Sequence, residues 1–305
     1  MKRGRAATRP YGAAAPGESE EIVEAANIAI SNLLPTKSRS LYDIAYNRFK
    51  KWCAVKNVQV YSEECFVGIL QSSTLWAQYS MVKSCLRIYD NIDISKFPKL
   101  IAFLKRTGDG YQAKKSKILT KSEIDRFLSS ADDKELLMIK VGLILGIAGA
   151  CRTDKLVNLT VDDIKDVGSS LIVKIPNTKT KIPRIFVVTD VGNMLELFRK
   201  YLSLHPPHVK HKRLFLYYKA GKCSSQPVGK NTMGKIPSVV ASYLKLPDVA
   251  CYTGHCLRRS SATLLADAGV DITTIKRHAG WKSTTVAEGY VENSIENKTK
   301  LLIRF

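Results

Sequence analysis

One stretch near the C-terminal end constrains this chain more than any other. From Thr253 to Ser294 the sequence breaks into three short helical segments. Leu257, Leu264, Leu265 and Ala268 fall at helical spacing and predict one buried stripe. Gly269 ends that helix, Asp271 starts a second one closed by Gly280, and Ser283 or Thr284 caps a third. His255 and Arg258 are three residues apart and share a face, which the pattern places away from the stripe. Any fold that accommodates this stretch delivers an imidazole, a guanidinium, an indole (Trp281) and a phenol (Tyr290) from consecutive short elements. An apolar core has no use for that set.

The rest of the chain supplies the frame. Residues 1–17 hold Lys2, Arg3, Arg5 and Arg9 with no acid, and read as a disordered basic tail. Such a tail suits a nuclear address or a DNA-touching arm. Gly4, Pro10, Gly12 and Pro16 spoil the helix a mitochondrial presequence needs. Residues 18–106 are helical in pattern. Ile22, Ala25, Ala26, Ile28, Ala29 and Leu33 predict one apolar face; Leu41, Ile44, Ala45, Phe49 and Trp52 mark a second helix whose other face carries Lys50 and Lys51. Short helices are expected near 62–70 and 95–105, around a longer one at 73–90. Trp52, Trp76 and Tyr79 read as core residues. Residues 107–118, with Lys114, Lys115 and Lys117, read as a flexible cationic linker.

The second domain, 119–305, opens on a capping box, Thr120 with Glu123. A buried helix through Leu136–Ile147 leads to Gly-Ala-Cys-Arg152-Thr-Asp-Lys-Leu156. Leu171–Ile175 and Arg184–Val188 then predict a β-hairpin whose tip holds Lys179 and Lys181. Helices are expected at 191–203 and Asn231–Leu246, with a strand at Phe215–Tyr218. The fold class is mainly α with a small β-hairpin or sheet (α+β).

In order, His255-x-x-Arg258, Trp281 and, nine residues later, Tyr290 resemble the C-terminal signature of the tyrosine recombinases, the phage-integrase family. Gly-Trp-Lys-Ser-Thr-Thr-Val-Ala-Glu-Gly-Tyr290 matches the family wording closely, and its flavour is that of eukaryotic Crypton-like members. Arg152 falls where the family carries its first arginine. The resemblance implies a helical core-binding domain ahead of a catalytic domain. It also implies a site of Arg152, Lys179, His255, Arg258, Trp281 and Tyr290, with Lys181 as a competitor for the lysine. Strand exchange would run through a 3′-phosphotyrosine, on a tetramer, in the service of a transposable element.

Those residue types suit that chemistry. Two arginines hold the non-bridging oxygens of a phosphodiester by bidentate, charge-assisted bonds that strengthen in the transition state. A free phenol, with a pKa near 10, needs a base such as His255 to give up its proton. The lysine protonates the leaving 5′ oxygen, and the indole N–H of Trp281 can donate to the phosphate. The cations do the work of a metal, so no cofactor is implied.

Charge agrees. The chain of 305 residues has 48 basic against 27 acidic side chains, a formal charge of +21. That balance calls for a polyanionic partner, double-stranded DNA, with Lys50, Lys51, Lys114, Lys115, Lys117 and Lys181 as candidate contacts. Seven scattered cysteines without a C-x-x-C pair fit a reducing compartment. The longest uncharged apolar run, Val141–Cys151, is too short to span a bilayer, and no secretory leader is visible. His205-Pro-Pro-His208-Val-Lys-His211 lacks the geometry and nearby Cys or carboxylate of a metal site. Nuclear localisation is the expectation.

One departure stands out. The family reads Arg-x-x-Glu-Leu where this chain has Arg152-Thr-Asp-Lys155-Leu156. Asp154 can swing round and substitute for the missing carboxylate, or Arg152 is loosely held; the second is expected, with DNA binding kept and cleavage slowed by poor positioning. Alternatives are a domesticated DNA-binding module that no longer cuts, and a type IB topoisomerase-like enzyme.

Overall fold

A computed structural model describes residues 20–63, 65, 66, 75–110, 114–176 and 183–291. The chain divides into two compact units, Met1–Ala113 and Lys114–Phe305. Among the described residues no helix is long and apolar enough to cross a membrane.

The first unit carries α1 (Glu20–Ser31), α2 (Arg39–Val55), α3 (Leu75–Tyr89) and α4 (Pro98–Gly108). Its core joins Phe66 to Phe49 and Cys53 of α2, to Tyr79, Val82 and Leu86 of α3, and to Leu100 and Leu104 of α4. Phe49 and Phe66 stack at 4.9 Å. Three sequence expectations change here. Ile28, Leu33, Leu41 and Ile44 are exposed: the core takes residues from the later turns of α2 and, among the described residues, none from α1. Trp76 is exposed too, edge-on to the buried Tyr79. Thr107 and Gly108, where the linker was expected to begin, belong to the last turn of α4.

The second unit begins with α5 (Lys121–Ser130), closed at its start by the Thr120–Glu123 capping box. Next comes α6 (Asp133–Ala148), capped by Asp132 and buried along most of its length. It is apolar all round, so other elements surround it. Its one buried charge, Lys140, is answered by Asp133 at 2.8 Å. A short α7 (Thr153–Asn158) leads to β1 (Ile164–Asp166), β2 (Ser170–Ile175) and β3 (Arg184–Thr189). These form an antiparallel sheet in the order β1-β2-β3, in register at Leu171 with Val188 and Ile175 with Arg184. The expected hairpin is there; β1 joins it as a third strand.

Then come α8 (Met194–Ser203) and a second hairpin of β4 (Leu216–Lys219) and β5 (Lys222–Pro227), turned by Ala220 and Gly221 at positive φ. The helix expected over Asn231–Leu246 is two, α9 (Lys230–Gly234) and α10 (Ile236–Tyr243), with Pro237 in the first turn of α10. The chain finishes its described course in α11 (Cys256–Asp267), α12 (Ile272–Ala279) and α13 (Thr284–Val291). Glycines let α6 sit close to its neighbours: a Cβ at Gly146 would meet Leu257 Cδ1 of α11 at 2.4 Å.

Candidate active site

Helix α11 is not the one-striped helix its spacing predicts. Leu257 and Leu264 pack on the main core, while Ala262, Leu265 and Ala266 pack on a second cluster with Ile275, Ala279, Trp281 and Ala287. Ala268 is exposed. With apolar packing on two sides, Arg258 is forced inward and is only 2% exposed.

Its guanidinium is held by three features. Nη1 donates to the carbonyl of Ala150 at 2.7 Å. Ala150 has φ of 44°, a left-handed conformation unusual for a residue with a Cβ, and this turn presents its carbonyl to Arg258. The guanidinium carbon sits 4.7 Å from the centre of the Trp281 ring. Nε and Nη2 have no hydrogen-bond partner among the described residues.

Trp281 reaches this point because α12 ends at Gly280 in the left-handed conformation, and the Trp281 N–H bonds back to the Lys276 carbonyl. Its indole Nε1 is likewise buried without a partner among the described residues. On α13, the Tyr290 ring stacks on Trp281 at 4.6 Å, and the Arg259 guanidinium lies 5.6 Å from the same phenol ring. Arg258, Trp281 and Tyr290 thus form a continuous stack.

Beside them opens a cleft of about 290 Å³. It is lined by Arg152, Lys155, Arg184, Arg258 and Lys282, with Ile175, Ala279, Gly280, Trp281, Ser283 and Val286 between them. Among the described residues five cations and no carboxylate line it. Arg152 enters from the N-cap of α7. The crowding shows in the titrating groups. Burial, with Arg152 and then Arg184 adding repulsion, lowers Arg258 to about 10, against the pull of Tyr290 and Cys151. Burial also lowers Arg184, with Arg152 adding to it. Burial pushes the Cys151 thiol up to about 11, so it stays neutral and offers no counter-charge at neutral pH. His278 is lowered by burial and by Arg184. A buried guanidinium such as that of Arg258, with no carboxylate partner among the described residues, costs free energy until an anion arrives.

Of the residues expected from sequence, Arg152, Arg258, Trp281 and Tyr290 come together here. His255 does not line the cleft. It is the N-cap residue of α11 and is exposed, so the face it was expected to share with Arg258 does not form. Lys179 and Lys181 lie outside the described residues. Asp154 pairs with Lys155 at 3.7 Å, while Lys155 itself lines the cleft. Two cleft residues, Arg184 and Lys282, were not singled out by the sequence pattern.

The candidate DNA lysines fall in two groups. Lys51, Lys114 and Lys115 are exposed. Lys50 bonds to the Tyr61 hydroxyl at 2.8 Å and to Asp90 at 3.3 Å. Burial alone would lower its ammonium, but those partners hold it above the usual lysine range. Lys117 is tied to Asp248 at 2.8 Å, and its N–H bonds to the Cys251 carbonyl, so the end of the expected linker is pinned to the second unit. Among the described residues, no three His, Cys, Asp or Glu side chains gather as metal ligands.

This cleft sits in a recognisable fold. The Phage integrase family matches residues 117–297, more than half of the chain, and the chain belongs to that family. Solved tyrosine recombinases share the architecture at low identity. The XerA recombinase has a TM-score of 0.52 at 15% identity over 92% of this chain and 95% of that one. The Tn1549 transposon integrase, solved with transposon right end DNA, has 0.57 at 16% identity, covering 92% and 98%. A lambda integrase dimer bound to a COC′ core site has 0.56 at 14% identity, covering 90% and 94%. These likenesses establish a mainly α fold with a small antiparallel sheet. No curated protein matches the chain.

Proposed function

We propose that this chain is a site-specific DNA recombinase that breaks and rejoins strands through a phosphotyrosyl bond at Tyr290. One observation carries the reading: among the described residues the cleft is lined by five cations and no acid, Arg258 and Trp281 keep N–H groups without partners there, and the Tyr290 ring stacks on Trp281. Arg152 and Arg258 hold the non-bridging oxygens of the scissile phosphate, and the Trp281 N–H adds a donor. Tyr290 attacks phosphorus, and its proton passes to a base, a role assigned to His255. His255 must swing from its exposed position to serve. Lys179, or Lys181, protonates the departing 5′ oxygen, leaving the 3′ phosphate on the tyrosine. A 5′ hydroxyl of another strand reverses the step and reseals the DNA.

The same reading makes the chain a Crypton-like element's recombinase, working in the nucleus as a tetramer on double-stranded DNA, with residues 18–106 as the core-binding domain and 107–118 as the linker. The test is a pool of nicked suicide duplexes with randomised flanks, resolved on a denaturing gel. A slowly migrating protein–DNA band is expected. Tight binding without any such band supports the domesticated DNA-binding module instead.

A further inference from the structure

Arg184 has a place in the cleft that the recombinase chemistry above does not use. It heads β3, opposite Ile175, at the root of the hairpin. Its Nη1 donates to the His278 carbonyl in the last turn of α12, and its Nη2 lies 3.8 Å from the Cys151 sulfur. The side chain passes close to Gly280, where an added Cβ would lie 3.5 Å from Arg184 Cδ.

As a brace between β3 and α12, this residue would need no charge. A carbonyl asks only for a donor, which a neutral amide supplies. Yet a guanidinium stands here, half-buried, with Arg152 and Arg258 on the same cleft and no paired carboxylate among the described residues. Three like charges around one cavity repel one another until an anion with several oxygens enters. Arginine's fork also reaches two acceptors at once, so one nitrogen can hold the carbonyl while another faces the cleft.

We propose that Arg184 is a third arginine of the phosphate clamp, donating to the scissile phosphate beside Arg152 and Arg258. The identity of that phosphate rests on the recombinase reading; the presence of an anion site there does not.

The first test uses inorganic phosphate, titrated at constant ionic strength into the full chain and into Arg184→Gln, with binding followed by the rise in unfolding temperature. The variant is expected to bind phosphate about 10-fold more weakly, the worth of one charge-assisted hydrogen bond. Binding within about twofold of the parent overturns the proposal, on the same scale. Should the Gln variant fail to fold, Arg184→Lys is read the same way, since it keeps the charge and loses the fork.

The second test uses a nicked duplex that forms the adduct. Arg184→Gln is expected to react about 100-fold more slowly than the parent. The gap should close when the scissile phosphate is a methylphosphonate, which lacks one anionic oxygen. An equal gap on both substrates marks Arg184 as a brace and overturns the proposal. A parent that binds phosphate through Arg184 but forms no adduct on any duplex refutes the recombinase reading alone.

Discussion

Gly146→Ala tests whether the close approach of α6 and α11 positions Arg258. The added methyl would lie 2.4 Å from Leu257 Cδ1, with Leu257 Cβ and Leu156 Cδ1 both at 3.3 Å. Leu257 is 2% exposed, and Leu156 fully buried, so neither has free space to move into. Overpacking of this kind costs about 1–3 kcal/mol. Replacing a mid-helix glycine by alanine returns about 1 kcal/mol. The net loss is about 1 kcal/mol, or ~3 °C in melting temperature for a unit of this size. Gly142→Ala is the matched control. Its methyl meets Ile236 Cδ1, also at 2.4 Å, but against α10, away from the cleft. Both variants should melt slightly earlier, as read by circular dichroism. Only Gly146→Ala should slow adduct formation, because α11 must shift and carry Arg258 with it. A displacement of the order of 1 Å costs about 100-fold in rate. Equal adduct rates in the two variants, with equal melting, would refute the argument that this close approach sets the arginine.

Three further outcomes are expected. Lys155→Glu restores a carboxylate near Arg152 and removes a cleft cation; adduct formation on a suicide duplex should quicken while non-specific DNA affinity falls, and an unchanged rate would make Lys155 a neutral variation. Asp133→Asn strands the buried Lys140 and should cost about 3 kcal/mol by urea denaturation, at the low end because Asp133 keeps some contact with water. Burial alone would raise the Asp133 carboxyl, but the hydrogen bonds from Lys140 and Lys200 outweigh it and hold it low. The folded state therefore binds its proton less readily than the unfolded state. The stabilisation is present above pH ~4 and is lost as pH falls through the lower folded value, so the parent and variant should converge in acid. Replacing Lys114 and Lys115 by Gln should flatten the slope of log affinity against log salt by about 0.9 for each phosphate those lysines neutralise. Lys117→Gln, whose ammonium is held by Asp248, should not change the slope.

What the sequence makes legible here is what is local. The Thr120–Glu123 box, the Asp271 cap and the Gly280 exit each rest on a few adjacent residues, and each is found as expected. Arg258, Trp281 and Tyr290 were readable from spacing along one strip of chain. The burial of Arg258 was not, because it depends on α11 being packed on two sides by clusters drawn from distant segments. Arg184 looks like any charged strand end until β3 is seen against α12. Lys117 and Asp248 are 131 residues apart, so nothing local distinguishes Lys117 from its basic neighbours. The strand β5 leaves no mark in the sequence, because Lys222–Pro227 is largely exposed and lacks an apolar alternation.

The central claim is that Tyr290 attacks phosphorus. Tyr290→Phe removes one oxygen and keeps the ring that stacks on Trp281 at 4.6 Å. The most direct measurement is the yield of covalent adduct on a nicked suicide duplex, for parent and variant, with the modified peptide mapped by mass spectrometry. The account predicts an adduct on Tyr290 in the parent, none in Tyr290→Phe, and DNA affinity unchanged within about twofold, since a phenol oxygen adds no charge to the phosphate contacts. An adduct that persists in Tyr290→Phe and maps to another tyrosine would contradict it.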